Sequence, residues 1–286
     1  MELFRIIKKD ARKALHSCGG RTVAGAMIFA LAYLAVYITE TIVFYIFCGE
    51  ENLSNYEMIW NGSKEALIIT IGALLLYYVL VFPLAWGYKK LTLAFAEGKD
   101  ESINTLFDMY SSGKKYFSSV LFTFLFFIKR ILVLVFMTAP GLGLMYCSAN
   151  FIPRGSATLE ILRIGATIIS GSVAIVGGFG SLAVIQRWHL APYYFASGSG
   201  ICKSFALSVK ASAGIRGEIF RFKLSFIGWA LLSFFVLPLL YSVPYYFMAT
   251  AIHAKYLMEK YEHSLAVVPE NLEHGEEEAA FTEEKD

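Results

Sequence analysis

Long apolar runs recur along this 286-residue chain and constrain its fold more than any other feature. The first run covers residues 22–48 and would be about 40 Å long as an α-helix, which exceeds the hydrocarbon thickness of about 30 Å. Hydrophobic residues make up 57% of the sequence and charged residues 17%, with a mean hydropathy of +0.56. Because this composition leaves too little polar surface to enclose a soluble core, we predict an all-α, polytopic membrane protein.

Six apolar runs predict a bundle of six transmembrane helices, which forms one domain over residues 22–261. The predicted spans are residues 22–48, 66–86, 117–139, 161–186, 222–238 and 239–256. A basic amphipathic segment, residues 1–21, precedes the domain. An acidic tail, residues 262–286, follows it, and its last seventeen residues carry eight acidic side chains and one Lys. We predict that this tail is disordered, because it cannot bury enough apolar surface to fold.

The distribution of cationic residues predicts the orientation of the bundle. Residues 221–232 pass from Arg221 and Lys223 into a nearly unbroken apolar run, as expected where a helix leaves the headgroup layer. Two further basic segments, residues 99–115 and 187–216, lie between predicted spans. By the positive-inside rule, these segments and both termini are predicted to be cytoplasmic.

Two amphipathic patterns lie on this predicted cytoplasmic side. In residues 2–16, apolar side chains at helical spacing alternate with lysines and arginines, which is typical of an interfacial helix and equally of a basic flank beside a first span. In residues 99–115, the apolar positions follow i, i+3, i+4, i+7 spacing and predict amphipathic cytoplasmic helices on the inner membrane surface. The expected partners are anionic inner-leaflet lipids, with a soluble protein for the acidic tail and no nucleic acid.

An internal similarity links two of the turns. Residues 95–98 read Phe-Ala-Glu-Gly, and residues 195–198, one hundred positions later, read Phe-Ala-Ser-Gly. Either this reflects a parallel two-helix repeat, or it is a chance match in sequence rich in alanine and glycine.

One segment carries a resemblance to a known family. Residues 224–232 read Leu-Ser-Phe-Ile-Gly-Trp-Ala-Leu-Leu, and a proline precedes both a Gly-Tyr pair at 87–88 and Tyr193. The motif positions are Ser225, Phe226, Ile227, Gly228 and Trp229.

Through these residues the chain resembles, over residues 82–261, the bacterial integral membrane proteins of domain-of-unknown-function family 975. This family is related to the membrane domain of some glycerophosphodiester phosphodiesterases. The resemblance implies a six-helix fold in the bacterial cytoplasmic membrane, and it brings no catalytic residue or substrate. Residues 140–183 depart from the family pattern, because they are longer than its short proline-glycine connection.

An intramembrane charge cluster is the sharpest candidate site. Lys129 and Arg130 fall near the middle of the third predicted span, where each costs about 2.5 to 3.5 kcal/mol if it faces lipid. Glu40 in the first span is the expected partner of Lys129. Either the pair locks two helices together, or these charges line a path for a substrate or a proton.

Small residues predict close helix packing in the fourth span. Ala166, Ser170, Ala174 and Gly178 recur at every fourth position, which allows a neighbouring helix to approach closely. The glycine-rich segments 141–143 and 177–180 fit either close packing or a locally unwound helix that exposes carbonyl groups to an ion.

No reaction motif is present in the sequence. His-Glu-x-x-His, Gly-x-Ser-x-Gly and phosphate-binding glycine loops are absent, and His189 and His253 could meet but have no carboxylate partner for a metal. We therefore expect no enzyme, metal or cofactor. The leading hypothesis is a non-catalytic scaffold that interacts with lipid or protein. The alternative is a small-solute or ion transporter or channel that uses Glu40, Lys129 and Arg130, and an enzyme acting on lipid ranks third.

Overall fold

The protein is all-helical in the part of the chain that the structure describes. A computed structural model describes residues 2–48, 63–152, 155–233 and 236–283, with side chains described as far as residue 265. No strand occurs in these ranges, so the predicted all-α class is confirmed.

Ten α-helices and three tighter or wider helical turns occupy the described ranges. The α-helices are α1 (Glu2–Cys48), α2 (Lys64–Leu76), α3 (Phe82–Ala96), α4 (Gly113–Phe151), α5 (Ala157–Ile185), α6 (Ala191–Ala196), α7 (Ile201–Ala211), α8 (Arg216–Leu224), α9 (Ile227–Leu232) and α10 (Val236–Glu283). The π-helix Tyr77–Val81 joins α2 directly to α3, and 3₁₀ helices occupy Ile103–Tyr110 and Gln186–Trp188.

Four helical segments are long and apolar enough to cross a membrane. They are Glu2–Phe47, Lys64–Ala96, Gly113–Phe151 and Ala157–Ala196. Large apolar side chains on these segments are exposed, including Phe47 (70%), Phe136 (77%) and Val176 (69%). Such exposure is unfavourable in water and normal in lipid, so the structure supports a membrane protein.

The predicted count of six spans is not confirmed, because the fifth predicted span is not one continuous helix. The chain breaks between α8 and α9 at Ser225 and Phe226. There the Ser225 N–H donates hydrogen bonds to the carbonyls of Arg221 and Phe222, and the Phe226 N–H donates to the Lys223 carbonyl. This tightened turn rotates Phe226 into the core, where only 3% of its surface is exposed.

The basic segment at the start of the chain continues α1. Ile7, Ala11 and Cys18 are buried in one cluster with Phe222 of α8 and Tyr245 of α10. These side chains are covered by protein, and both interpretations of residues 2–16, an interfacial helix and a basic flank of the first span, stay predictions. At the other terminus, the backbone of α10 continues to Glu283, and the disorder of the acidic tail stays a prediction.

One buried cluster joins α3, α4, α6 and α7. Aromatic residues fill it: Trp86 of α3 and Phe122 of α4 meet edge to face, and Phe122 stacks on Phe195 of α6. The predicted amphipathic helix in this region is the 3₁₀ helix Ile103–Tyr110, whose Leu106 is fully buried against α3. Leu106 of the predicted apolar stripe therefore packs on protein, whereas Phe107 of the same stripe is 46% exposed.

The two similar turns have the same hydrogen bonds. Gly98 N–H donates to the Phe95 carbonyl and Gly198 N–H to the Phe195 carbonyl, each at 3.0 Å. Both glycines have positive φ, +78° and +96°, which closes a helix at a left-handed residue. Residues of both turns also line one surface cleft. The two turns are therefore similar in their backbone hydrogen bonds as well as in their sequence.

Helices α4 and α5 pack closely through glycine. A Cβ on Gly177 would lie 2.0 Å from the Met137 carbonyl oxygen, and one on Gly141 would lie 2.3 Å from the Ala174 nitrogen. Of the predicted small-residue ladder, Ser170 is buried, Ala166, Ala174 and Gly178 are partly buried, and Gly178 lies 4.0 Å from Thr138 by the same measure. Both helices run unbroken through their glycines, which favours close packing over unwinding.

Candidate functional site

The structure separates the predicted charge cluster. Glu40 lines a cavity of about 920 Å³ between α1, α2 and α4, together with Tyr37 and Tyr77. Lys129 instead places its ammonium 3.8 Å from the centre of the Phe205 ring. Among the residues that the structure describes, Glu40 forms no ion pair with Lys129 or Arg130. The expected pairing of α1 with α4 through these charges is therefore absent.

Arg130 belongs to a different group of cations. Its charge acts on Lys89 of α3 and Lys223 of α8, and the two lysines act on each other, so three helices bring these groups together. Lys89 Nζ lies 5.1 Å from the Tyr193 ring centre, and the Arg130 guanidinium lies 4.1 Å from the Phe126 ring centre. The rings stabilise the cations through their negative faces but supply no counter-charge.

These three cations have no carboxylate partner within the described ranges. The ion pairs found there involve other residues: Arg21 with Asp100, Lys90 and Lys115 with Asp108, Lys99 with Glu97, Arg163 with Glu160, and Lys255 with Glu259. Lys223 Nζ donates to Gln186 Oε1 at 2.7 Å, a neutral acceptor. Like charges held together in a partly buried region repel one another, so the arrangement calls for an anion.

Two histidines complete the group. His189 and His253 are 7% and 0% exposed. Their ring centres are 6.0 Å apart, so the two histidines lie close together, as their positions in the sequence allow. His189 Nε2 and both ring nitrogens of His253 have no hydrogen-bond partner in the described part of the chain. We call Lys89, Arg130, Lys223, His189 and His253 the cationic cluster.

The side chains of the cationic cluster are mainly hydrogen-bond donors. Within the described residues, no group of three or more His, Cys, Asp or Glu side chains surrounds a common point. The cations instead offer N–H donors, and the histidines add unused ring nitrogens in an environment shielded from water. Unpaired buried polar atoms of this kind are costly unless a ligand satisfies them.

A groove of about 520 Å³ opens beside the cationic cluster. Its lining residues come from α5, the 3₁₀ helix Gln186–Trp188, and α8, α9 and α10 with their ends: Leu182, Gln186, Phe220, Lys223, Leu224, Phe226, Ile227, Trp229, Ala230, Ser233, Leu239, Ser242, Val243, Tyr246 and Phe247. Gln186 and Lys223 form its polar end. Leu224 and Ile227 at its rim are 50% and 60% exposed. We call this the lateral groove.

The family-like motif lies along the lateral groove. Phe226, Ile227 and Trp229 line it, and the Ser225 carbonyl accepts a hydrogen bond from Lys8 Nζ at 2.9 Å. Gly228 is exposed on the same short helix. The motif therefore forms a wall of the groove where a continuous span was predicted.

Comparisons with known proteins do not assign the chain to a family. No protein-family model, curated protein or solved structure matches it. The resemblance to family 975 stays a prediction.

Sequence reasoning identified Arg130, His189 and His253 but missed the part that Lys89 plays. Lys89 and Lys90 directly follow the aromatic end of the predicted span 66–86, and from sequence alone such a pair indicates only a cationic end to that span. Adjacent helical positions point about 100° apart, so only one of two neighbouring lysines has to face solvent. Lys90 pairs with Asp108, whereas Lys89 points towards the aromatic rings. The aromatic residues around Lys89 are the signal that could have identified it.

Asp108 makes stability depend on pH. Its carboxylate accepts hydrogen bonds from Lys90 Nζ at 2.6 Å and Lys115 Nζ at 2.7 Å. Partial burial alone would raise the pKa of Asp108, but the two lysines outweigh burial and lower that pKa below its ordinary value. The stabilisation is therefore complete above the unfolded-state pKa of about 4 and is lost as the pH falls through the lower folded-state pKa.

We expect Asp108→Asn to cost about 1 kcal/mol at neutral pH. The wild type should lose this advantage over the variant as the pH falls below about 4, which thermal unfolding at a series of pH values would show. Asp100→Asn is the matched control, because Asp100 pairs with Arg21 but its side chain is 86% exposed. If the stability of both variants depended on pH in the same way, the conclusion that Asp108 makes stability depend on pH would be contradicted.

Proposed function

We propose that this protein is a non-catalytic integral membrane protein that binds an anionic ligand in the cationic cluster. The observation that carries the proposal is that Lys89, Arg130 and Lys223 interact electrostatically and have no carboxylate partner among the described residues. Lys89 Nζ lies 5.7 Å from the ring centre of Phe247, which lines the lateral groove together with Lys223. Charges inside a membrane protein normally mark a function, because their burial is costly. Here the missing partner is an anion.

The proposal includes the predicted setting of the protein. It places the chain in the bacterial cytoplasmic membrane, with six crossings and both termini in the cytoplasm. The positive-inside rule supports this orientation through the basic segments 99–115 and 187–216, and the proposal places the cationic cluster on the same side of the membrane. An anionic inner-leaflet lipid would be close to the cluster there, and the acidic tail would be free to bind a soluble protein.

A transporter or channel is less well supported. That alternative uses Glu40, Lys129 and Arg130 as one site, but Glu40 lines a different cavity from the cationic cluster. An anion-binding scaffold needs no connection between the Glu40 cavity and the cationic cluster.

Neutralisation of Lys223 tests the proposal. We expect Lys223→Gln to be at least as stable as the wild type without ligand, because it removes repulsion from Lys89 and Arg130. The same variant should bind inorganic phosphate about tenfold or more weakly, since a charge-assisted hydrogen bond contributes about 1.5 to 3 kcal/mol. The phosphate-induced rise in melting temperature of the purified protein in neutral detergent measures the binding.

Lys203→Gln is the matched control for this experiment. Lys203 is an exposed lysine on α7, and its neutralisation removes the same formal charge far from the cluster. We expect the control to keep the full phosphate response. A wild-type protein that shows no response to phosphate or sulfate, or a Lys223→Gln variant that responds as the wild type does, would refute the proposal.

A further inference from the structure

We propose that the ligand of the cationic cluster is an anionic phospholipid whose phosphate lies at Lys223 and one of whose acyl chains lies in the lateral groove. This inference rests on the proposed function, because it assigns a ligand class to the same site. The ligand class is inferred from two features of the lateral groove taken together, which are its charged end and its apolar remainder.

The polar end of the lateral groove fits a phosphate. Lys223 Nζ already donates to Gln186 Oε1 at 2.7 Å, and the ammonium retains further N–H donors for an anionic oxygen. Arg130 acts electrostatically on both Lys223 and Tyr246, and Tyr246 is itself a lining residue. A phosphate at this end would contact Lys223, and the charge of Arg130, which does not itself line the groove, would also favour it.

The rest of the lateral groove is apolar. Phe226 and Trp229 form one wall, and Val243 and Phe247 of α10 contribute to the other. The hydroxyls of Ser233 and Ser242 are 2.6 Å apart and bond to each other, so they satisfy themselves and need no polar ligand. An acyl chain matches this lining, whereas a small hydrophilic anion would leave it empty.

The rim connects the lateral groove to the lipid phase. Leu182, Leu224 and Ile227 are 43%, 50% and 60% exposed. Apolar side chains exposed to this extent are expected where a surface faces acyl chains. A lipid could thus enter sideways without exposing its chain to water. The volume of about 520 Å³ lies within the range of about 300 to 1,000 Å³ that is typical of small-molecule sites.

Two variants separate the head from the chain. Lys223→Gln removes the charged contact, and Ala230→Phe fills the apolar part without changing a charge. The probes are inorganic phosphate, phosphatidylglycerol and phosphatidylcholine, each added to the purified full-length protein in neutral detergent. Native mass spectrometry counts bound lipid, and the change in melting temperature reports phosphate binding. Leu134→Phe, at an exposed position on α4 that does not line the groove, is the control for the introduction of a phenyl ring.

We expect the wild type to retain phosphatidylglycerol at least tenfold better than phosphatidylcholine. Ala230→Phe should lose this retention and keep its phosphate response, Lys223→Gln should lose both, and Leu134→Phe should lose neither. If Ala230→Phe does not fold, Ile227→Trp at the exposed rim serves the same purpose. Ile227 is 60% exposed, so a larger side chain can be accommodated there.

Two outcomes would overturn the inference and spare the proposed function. One is a normal phosphate response with equal retention of both lipids, which would show that the lipid charge is not recognised. The other is full phosphatidylglycerol retention by the groove-filling variant, which would place the lipid elsewhere. A protein that responds to neither phosphate nor phosphatidylglycerol would refute the proposed function and this inference together.

Discussion

Phe122→Ala is expected to lower the free energy of unfolding by about 3 kcal/mol, the low end of the range for such a truncation in a core. The Phe122 ring is fully buried and stacks on Phe195 with ring centres 4.3 Å apart and an angle of 6°. It also lies 5.1 Å from the Phe205 ring. One side chain therefore joins α4 to α6 and α7, and its removal opens a cavity at their junction.

The physical origin of this loss differs from that in a soluble protein. In a membrane, the unfolded state keeps its apolar side chains in lipid, so the transfer from water contributes little. What remains is the loss of close contacts between rings and the cavity that neighbours fill only in part. For this reason we expect the low end of the range.

Phe136→Ala provides the matched control for Phe122→Ala. Phe136 lies on the same helix, but 77% of its surface is exposed and faces the lipid phase. We expect its truncation to change stability by less than about 0.5 kcal/mol. Reversible unfolding in mixed micelles of neutral and denaturing detergent would measure both variants. Similar losses of stability at the two positions would mean that the contacts of Phe122 with Phe195 and Phe205 do not hold these helices together.

The sequence predicts the apolar helices well because the membrane imposes a simple rule. A long apolar run must be helical in lipid, so the first four runs correspond to the four segments that are long enough to cross. The same rule does not predict where a helix breaks. Residues 222–238 have the composition of a span, yet the helix breaks at Ser225 and Phe226, where the Phe226 ring packs 5.6 Å from the Tyr245 ring, and hydropathy does not record that contact.

The site was harder to predict than the fold because it depends on which way single side chains point. The predicted pair of Glu40 and Lys129 rested on comparable depth along two helices, and depth does not specify rotation. On α4, Phe127 and Ile131 face the Glu40 cavity, whereas Lys129 faces the rings of Phe205 and Trp188. Lys89 and Lys223 are 134 residues apart in the sequence, and only tertiary packing brings their charges near each other.

Gly87→Ala is expected to destabilise the protein by about 1 to 3 kcal/mol, although alanine is ordinarily the better helix former. A Cβ on Gly87 would lie 1.9 Å from the Leu106 carbonyl oxygen and 2.6 Å from its carbonyl carbon. Because these are backbone atoms, no side-chain rotation can relieve the overlap. The 3₁₀ helix Ile103–Tyr110 would have to move away from α3, and Leu106, now fully buried, would lose its contacts.

Gly72→Ala is the matched control, since a Cβ at Gly72 would meet nothing within 4 Å. Gly72 lies within α2, where replacement by alanine should stabilise the helix by about 0.5 to 1 kcal/mol. The two substitutions are chemically identical, so the opposite signs of their effects isolate the contact between α3 and the 3₁₀ helix. Thermal unfolding in neutral detergent measures both. If both variants were more stable than the wild type, the 3₁₀ helix would not be seated on Gly87, and its apolar stripe would be free to face the membrane as the sequence alone predicts.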